Sequence, residues 1–197
     1  AVLLGDEESV SAFLREDASL PTTSDLDDAP PLHFATTPEV AQLLLDHGAA
    51  LDTVDSTGNT PLASAIGRGE RCLPVANLLL ENGSPADPCL LAALGKTDEL
   101  TRRIDSDPDL VNFTGQIGQM GIVGTPLHAA SQHSHPDTVR TLLENGSDPT
   151  ARANSGQTPL HLCSHPEIAR LLVNAGADPR ATDDDHGTTP LTWAKIS

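Results

Sequence analysis

Thr125-Pro126-Leu127-His128-Ala129-Ala130 and Thr158-Pro159-Leu160-His161-Leu162-Cys163 open two stretches of chain that run in parallel. The phrase returns, altered, as Pro30-Pro31-Leu32-His33-Phe34-Ala35, Thr60-Pro61-Leu62-Ala63-Ser64-Ala65, Asp87-Pro88-Cys89-Leu90-Leu91-Ala92 and Thr189-Pro190-Leu191-Thr192-Trp193-Ala194. Steps from proline to proline are 30, 27, 38, 33 and 31 residues. A second landmark follows in four of the repeats: Leu43-Leu44-Leu45 before Gly48, Leu78-Leu79-Leu80 before Gly83, Leu142-Leu143 before Gly146 and Leu171-Leu172-Val173 before Gly176. Thr before Pro supplies an N-cap hydroxyl, and Pro at the first helical position gives up only an N–H that the helix cannot use. Asp87 can cap as Thr does; Pro30 cannot, which predicts a looser start there. A second helix is predicted to begin at Pro38, Pro74, Pro136 and Pro166, with Glu39, Asp137 and Glu167 at its positive end. The closing glycines suit the left-handed position that ends a helix. One such helix pair cannot bury its own apolar stripe, so neighbouring repeats must supply the core.

These phrases and glycines resemble the ankyrin repeat, a unit of about 33 residues with a β-turn, two helices and a T-P-L-H-x-A signature. The resemblance runs over nearly the whole chain and implies an all-α fold: an ankyrin-type α-solenoid of stacked helix–turn–helix units with β-hairpin fingers. Gly5-Asp6-Glu7-Glu8 parallels Gly95-Lys96-Thr97-Asp98, which divides the chain into related halves near 1–87 and 88–186 and a final half-unit, 187–197. No linker-like segment separates them, so 1–197 is expected to be a single domain and one continuous solenoid. Spacing from first to second proline is 7 residues at Pro31 and Pro159 but 13 at Pro61 and 10 at Pro126. The inner helices at Pro31 and Pro159 are therefore expected to be clipped, which would notch the binding face.

Charge narrows the partner. The chain has 28 Asp+Glu against 11 Lys+Arg, a formal net charge of -17, and 2% aromatic residues. Nucleic-acid binding needs clustered cations and stacking platforms, and is excluded on both counts. An anionic membrane surface is disfavoured for the same reason. No apolar run reaches the roughly 18–20 residues of a spanning helix, so a soluble, cytoplasmic protein is expected. Cys72, Cys89 and Cys163 form no C-x-x-C pair and are expected to be small core residues.

Each candidate site has a plainer reading. The resemblance implies that His33, His128 and His161 are structural and bond backbone near the turn. His161 and His165, with His133 and His135 one repeat earlier, could gather a metal, but Leu162 stands where a zincin motif needs Glu. Asp105-Ser106-Asp107-Pro108-Asp109 starts like a calcium loop, yet Leu110 and Gln116 replace its required Gly and Glu. The Gly115–Gly124 stretch lacks the Gly-Lys-Ser/Thr ending of a phosphate loop and reads as a hairpin finger that could offer Ile117, Met120 and Ile122 as an apolar contact. No catalytic set stands apart from positions the repeat explains.

The expectation is a monomeric, non-enzymatic interaction module with no cofactor and no metal. It would grip another protein, with a basic surface, through its fingers and inner-helix face. The residues expected to carry contacts are Thr53, Val54, Asp55, Ser56 and Asn59; Gln116, Ile117, Met120 and Ile122; Arg152, Asn154, Ser155 and Gln157; and Asp183, Asp184, Asp185 and His186. The alternative is the ankyrin portion of a longer enzyme or effector whose catalytic domain lies outside this chain.

Overall fold

A computed structural model of the chain describes residues 2, 5–16, 29–117 and 122–196. The chain folds as two compact halves, Ala1–Ala86 and Asp87–Ser197.

In the N-terminal half, α1 (Glu7–Glu16) lies against α2 (Pro38–Asp46) and buries Val10 and Leu14. Asp6 opens α1, its carboxylate accepting the Ser9 N–H at 3.1 Å and the Ser9 hydroxyl at 2.6 Å. Thr37 caps α2 by accepting the Val40 N–H, and Thr60 caps α3 (Pro61–Gly67) by accepting the Ala63 N–H. The phrase at Pro30, which has no hydroxyl, forms only a 3-10 turn, Pro31–Phe34, with no side-chain cap. A second 3-10 turn, Glu70–Cys72, leads into α4 (Leu73–Glu81). The 31–34 turn and α3 make the inner layer, and α2 and α4 pair behind them. Leu32, Val40, Leu44, Leu62, Ile66, Val75 and Leu79 are at most 1% exposed and form the dry interior. Truncating one of these leucines to Ala would cost about 2–5 kcal/mol.

The C-terminal half repeats the scheme. Inner helix α5 (Pro88–Ala93) packs on inner helix α7 (Pro126–Gln132), and outer helices α6 (Thr97–Ser106) and α8 (Pro136–Glu144) pair behind them. Ala92, Ala93, Ala129 and Ala130 are buried, and their small side chains let the inner helices approach closely. A 3-10 turn at Pro108–Asn112 precedes the hairpin β1 (Gly115–Gln116) and β2 (Val123–Gly124), which pairs antiparallel with Gly115 opposite Gly124. After α8, residues 159–162 form turns only, then α9 (Pro166–Asn174) and α10 (Pro190–Ile196) follow. Both phrases expected to have a clipped inner helix, at Pro31 and Pro159, do.

Helices α2, α4, α8 and α9 end alike. Gly48 adopts φ +90°, and the N–H groups of Gly48 and Ala49 bond the carbonyls of Leu45 and Leu44 at 2.9 and 3.0 Å. This is the Schellman pattern, which satisfies carbonyls the helix leaves open. The same bonds close the helices before Gly83, Gly146 and Gly176. Serines then tie two of the repeats to the one before: Ser84 Oγ donates to Leu51 O at 3.4 Å, and Ser147 Oγ to Val111 O at 3.0 Å.

Candidate functional site

The fingers are built around a shared backbone acceptor. Asp55 N–H donates to the Asn59 carbonyl at 3.0 Å, Ala153 N–H to the Gln157 carbonyl at 2.8 Å, and Asp183 N–H to the Thr188 carbonyl at 3.0 Å. Each of these carbonyls also faces the Nε2 of the histidine one repeat earlier. His33 reaches Asn59 O, His128 reaches Gln157 O and His161 reaches Thr188 O, all at 3.1 Å. His128 Nδ1 accepts the Thr125 N–H at 3.1 Å, and His161 Nδ1 accepts the Thr158 N–H at 3.0 Å. The proton therefore sits on Nε2 in both, and each ring donates into the next finger. Burial pulls the His128 imidazole down to about 4. His33 differs, because Pro30 has no N–H to offer: its Nδ1 faces the Pro30 carbonyl at 3.3 Å.

Two carboxylates complete the loops. Asp55 Oδ1 accepts the N–H of Thr57 and of Asn59, each at 2.9 Å, and the Thr57 hydroxyl at 2.7 Å. Burial alone would raise this carboxyl, but the bonds from Thr57 and Asn59 hold it below the usual range. Asp183 accepts the Thr188 hydroxyl and N–H, the His186 N–H at 2.7 Å and the Trp193 indole N–H at 3.1 Å. Its carboxyl lies well below the usual range, chiefly because of the Thr188 hydroxyl bond. The middle finger has Ala153 at this position and is braced from its sides instead. Asn154 N–H donates to Val123 O at 3.0 Å, and Val123 N–H returns a bond to Asn154 Oδ1 at 3.1 Å. On the other side Asp184 N–H donates to Ser155 O at 3.1 Å, and Arg152 Nη2 pairs with Asp184 Oδ1 at 2.7 Å.

The hairpin base sits on the inner helices by virtue of two glycines. A Cβ on Gly115 would stand 2.9 Å from Asp87 Oδ2, and one on Gly124 3.1 Å from His128 Cγ. Asp87 caps α5 through the Leu90 N–H at 2.9 Å, and burial raises its carboxyl.

This geometry corrects several expected contact residues. Ile117 is 2% exposed, because the short hairpin turns it inward against Gly124; it belongs to the core. Gln157 is 5% exposed, and its Oε1 is buried without a partner among the described residues. Asp183 is 3% exposed and spent on its own loop. The Asp55 and Asn59 side chains, half-buried, are likewise spent within the first finger. Thr53 is half-buried, its hydroxyl aimed at Ala50 O. Met120 lies outside the described residues.

What stands at the surface is a smaller set. Val54 and Ser56 are exposed on the first finger; Gln116 and Ile122 are half-buried on the hairpin; Arg152, Asn154 and half-buried Ser155 form the middle finger; Asp184, Asp185 and His186 are exposed on the last. Val123, exposed at the hairpin base, was not anticipated from sequence. The alternation of Gly115, Ile117, Val123 and Gly124 about a turn was the signal that could have separated its outward side chain from the inward Ile117. The structure does not gather the histidines into a metal centre. His135 Nε2 instead meets Ala93 O at 2.8 Å, and His165 Nδ1 accepts the Glu167 N–H at 3.3 Å. Among the described residues no group of three or more His, Cys, Asp or Glu could hold a metal ion, and no helix is long and apolar enough to cross a membrane.

The sequence model of a family described as ankyrin repeats (3 copies) matches residues 1–92 and 91–183. Among curated proteins, the chain is 34% identical over 76 residues to ankyrin repeat-containing protein P1E11.10 of Schizosaccharomyces pombe, covering 38% of this chain and 33% of that one. It is 39% identical over 66 residues to NF-kappa-B inhibitor alpha of Sus scrofa (34% of this chain, 19% of that one). It is 28% identical over 188 residues to E3 ubiquitin-protein ligase KEG of Arabidopsis thaliana (82% of this chain, 11% of that one). The chain thus spans a third or less of the length of these relatives. Among solved structures, the human ASB11 ankyrin repeat domain matches with a TM-score of 0.57 at 23% identity, over 98% of this chain and 89% of that one. That likeness concerns the fold.

Proposed function

The chain belongs to the ankyrin repeat family, and on that premise we propose that it is a non-enzymatic module that binds another protein through its finger tips and inner-helix face. Ankyrin repeats are generally protein–protein interaction modules. One observation carries the reading here: the finger backbones are locked by the carbonyl that serves both the loop and the preceding histidine, while Val54, Ser56, Val123, Asp184, Asp185 and His186 stand exposed on them. A loop ordered before binding loses little entropy on contact. A relative named as an inhibitor of NF-kappa-B is in keeping with a role exercised by holding a protein.

The partner surface is proposed to be basic, since the formal net charge of this chain is -17. The protein is proposed to act as a monomer in the cytoplasm, a reducing compartment that suits free Cys72, Cys89 and Cys163. The experiment is affinity capture with the full chain, followed by mass spectrometry, repeated with Val54→Ser, Val123→Ser and Asp185→Asn combined. A partner captured by the parent and lost by this folded variant supports the reading; equal capture by both ends it. Association that ignores a rise from low to high salt would remove the basic-partner proposal.

A second reading is that this chain works as the ankyrin portion of a larger enzyme or effector. The match over 82% of this chain to only 11% of E3 ubiquitin-protein ligase KEG favours it. The full open reading frame decides between the two.

A further inference from the structure

Two of the seven asparagines are followed by glycine, and both lie in the same six residues: Leu79-Leu80-Glu81-Asn82-Gly83-Ser84 and Leu142-Leu143-Glu144-Asn145-Gly146-Ser147. Each asparagine is exposed and closes an outer helix, α4 or α8. Each side-chain amide reaches back one turn: Asn82 Nδ2 donates to Leu78 O at 2.9 Å, and Asn145 Nδ2 to Thr141 O at 2.8 Å. The matching residue is His47 at the end of α2 and Ala175 at the end of α9. A glycine nitrogen has no adjoining Cβ to shield it, so it is the backbone nucleophile best able to attack the preceding side-chain amide. The closed helix end forbids that attack. ψ is 6° at Asn82 and 9° at Asn145. Closing a five-membered ring needs the glycine nitrogen eclipsed with Cβ, a rotation of about 120° around a tetrahedral Cα. The glycine N–H groups are held as well, Gly83 to Leu80 O at 3.0 Å and Gly146 to Leu143 O at 3.1 Å. Reaction therefore waits on local opening of the turn. The two turns are not equally tied. After α8, Ser147 Oγ donates to Val111 O at 3.0 Å and Asp148 N–H to Asn112 Oδ1 at 3.1 Å. After α4, Ser84 Oγ reaches Leu51 O at 3.4 Å, and Pro85, which stands where Asp148 does, has no N–H to give.

We propose that Asn82 is a site of spontaneous deamidation, converted ahead of Asn145 because the turn after α4 opens more readily. In the open turn Gly83 N bonds to Asn82 Cγ, the Cγ–Nδ2 bond breaks, and ammonia leaves with the proton that Gly83 N gives up. Water then adds to one of the two ring carbonyls, and the ring nitrogen takes back a proton as its bond to that carbon breaks. Opening at Cγ yields Asp; opening at the backbone carbonyl yields an isoaspartyl link whose main chain runs through Cβ. The sum is one water consumed and one ammonia released. Neither product closes the helix as Asn82 does. An oxygen replaces the donor that stood 2.9 Å from Leu78 O, and its charge lies at the negative end of α4. The isoaspartyl form also lengthens the backbone just ahead of Gly83, whose φ of +87° shapes the turn. What loosens is the turn that carries Ser84 to Leu51, just before the first finger.

The test ages the full chain in mildly alkaline buffer, folded and in urea, and follows both asparagines by peptide mass mapping. The isoaspartyl form is counted by methyl transfer from S-adenosylmethionine with a protein isoaspartyl methyltransferase. In urea the two sites should convert at equal rates, since their neighbours match. In the folded chain Asn82 should convert about threefold or more faster than Asn145. Asn112→Ala removes the acceptor of the Asp148 N–H; it should bring Asn145 closer to the rate of Asn82 and leave Asn82 unchanged. Asn82→Asp should exchange the Ser84 N–H, bonded to Leu79 O at 3.0 Å, faster than Asn82→Gln, which keeps a donor and cyclises slowly. Equal folded rates, or Asn145 ahead, overturn the assignment. So does a folded chain that keeps Asn82 intact while the unfolded chain converts. No change at Asn145 in Asn112→Ala overturns the tie as the cause of the difference.

Discussion

His128 Nε2 donates to the Gln157 carbonyl at 3.1 Å, and the same oxygen accepts the Ala153 N–H that closes the middle finger. One oxygen thereby joins an inner helix to the loop of the next repeat. The ring can make this bond and accept the Thr125 N–H at Nδ1 together only while neutral, with its proton on Nε2.

Stability should therefore fall on mild acidification. Burial lowers the folded imidazole to about 4, against an ordinary value of 6.5. The unfolded chain binds the proton first, so the native state is favoured fully above pH 6.5 and loses that advantage between pH 6.5 and about 4. Urea unfolding should show about 2 kcal/mol less stability from this group at pH 5 than at pH 7. His128→Gln should be less stable than the parent at pH 7, by about 1–3 kcal/mol, and should lose this part of the pH dependence.

Asp183 acts in the opposite sense. Its folded carboxyl lies below the ordinary 3.8, so its contribution is present above that value and is lost as pH falls through the folded one. Asp183→Asn should lower the melting temperature at pH 7 by about 3–6 °C, with a smaller difference from the parent at pH 3. Trp193, the only tryptophan, donates to this carboxylate, so its fluorescence reports the transition.

Ile117 and Ile122 should separate cleanly. Ile117→Ala empties a buried site and should cost about 2–4 kcal/mol, whereas half-buried Ile122→Ser should cost under about 1 kcal/mol. Thermal denaturation of the two variants decides it; equal losses would place both side chains in the core.

Gly115→Ala should loosen the hairpin base. Its new methyl would press on Asp87 Oδ2, the cap of α5, and on Phe113 Cε1 at 2.8 Å. A loss of about 1–3 kcal/mol is expected by chemical unfolding, with faster amide exchange at Leu90.

Ser134→Gly should stabilise. Ser134 holds φ +58° in the turn after α7, where a side chain is strained. Removing it should gain about 0.5–1 kcal/mol, readable as a raised unfolding midpoint.

The helix starts were legible in sequence because their chemistry is local: the Thr or Asp oxygen and the adjacent proline need no knowledge of the rest of the chain. The shortened elements at Pro31 and Pro159 were legible for the same reason, from spacing alone. The fingers were not. Asp55 and Asp183 read as solvent-facing acids until the loop is closed, and only then does each carboxylate meet the N–H groups on the far side. Register was the available hint, since Asp55 and Ala153 each stand five residues before the Thr of a Thr-Pro phrase and Asp183 six.

Ala153 leaves the middle finger without an internal carboxylate, so it borrows rigidity from Val123 on one flank and Asp184 on the other. A binder that drew Asp184 away from Arg152 would remove one of those braces and slacken a loop it never touched. The three tips of this half would then respond to occupancy as a linked set, with the outermost acid as the lever.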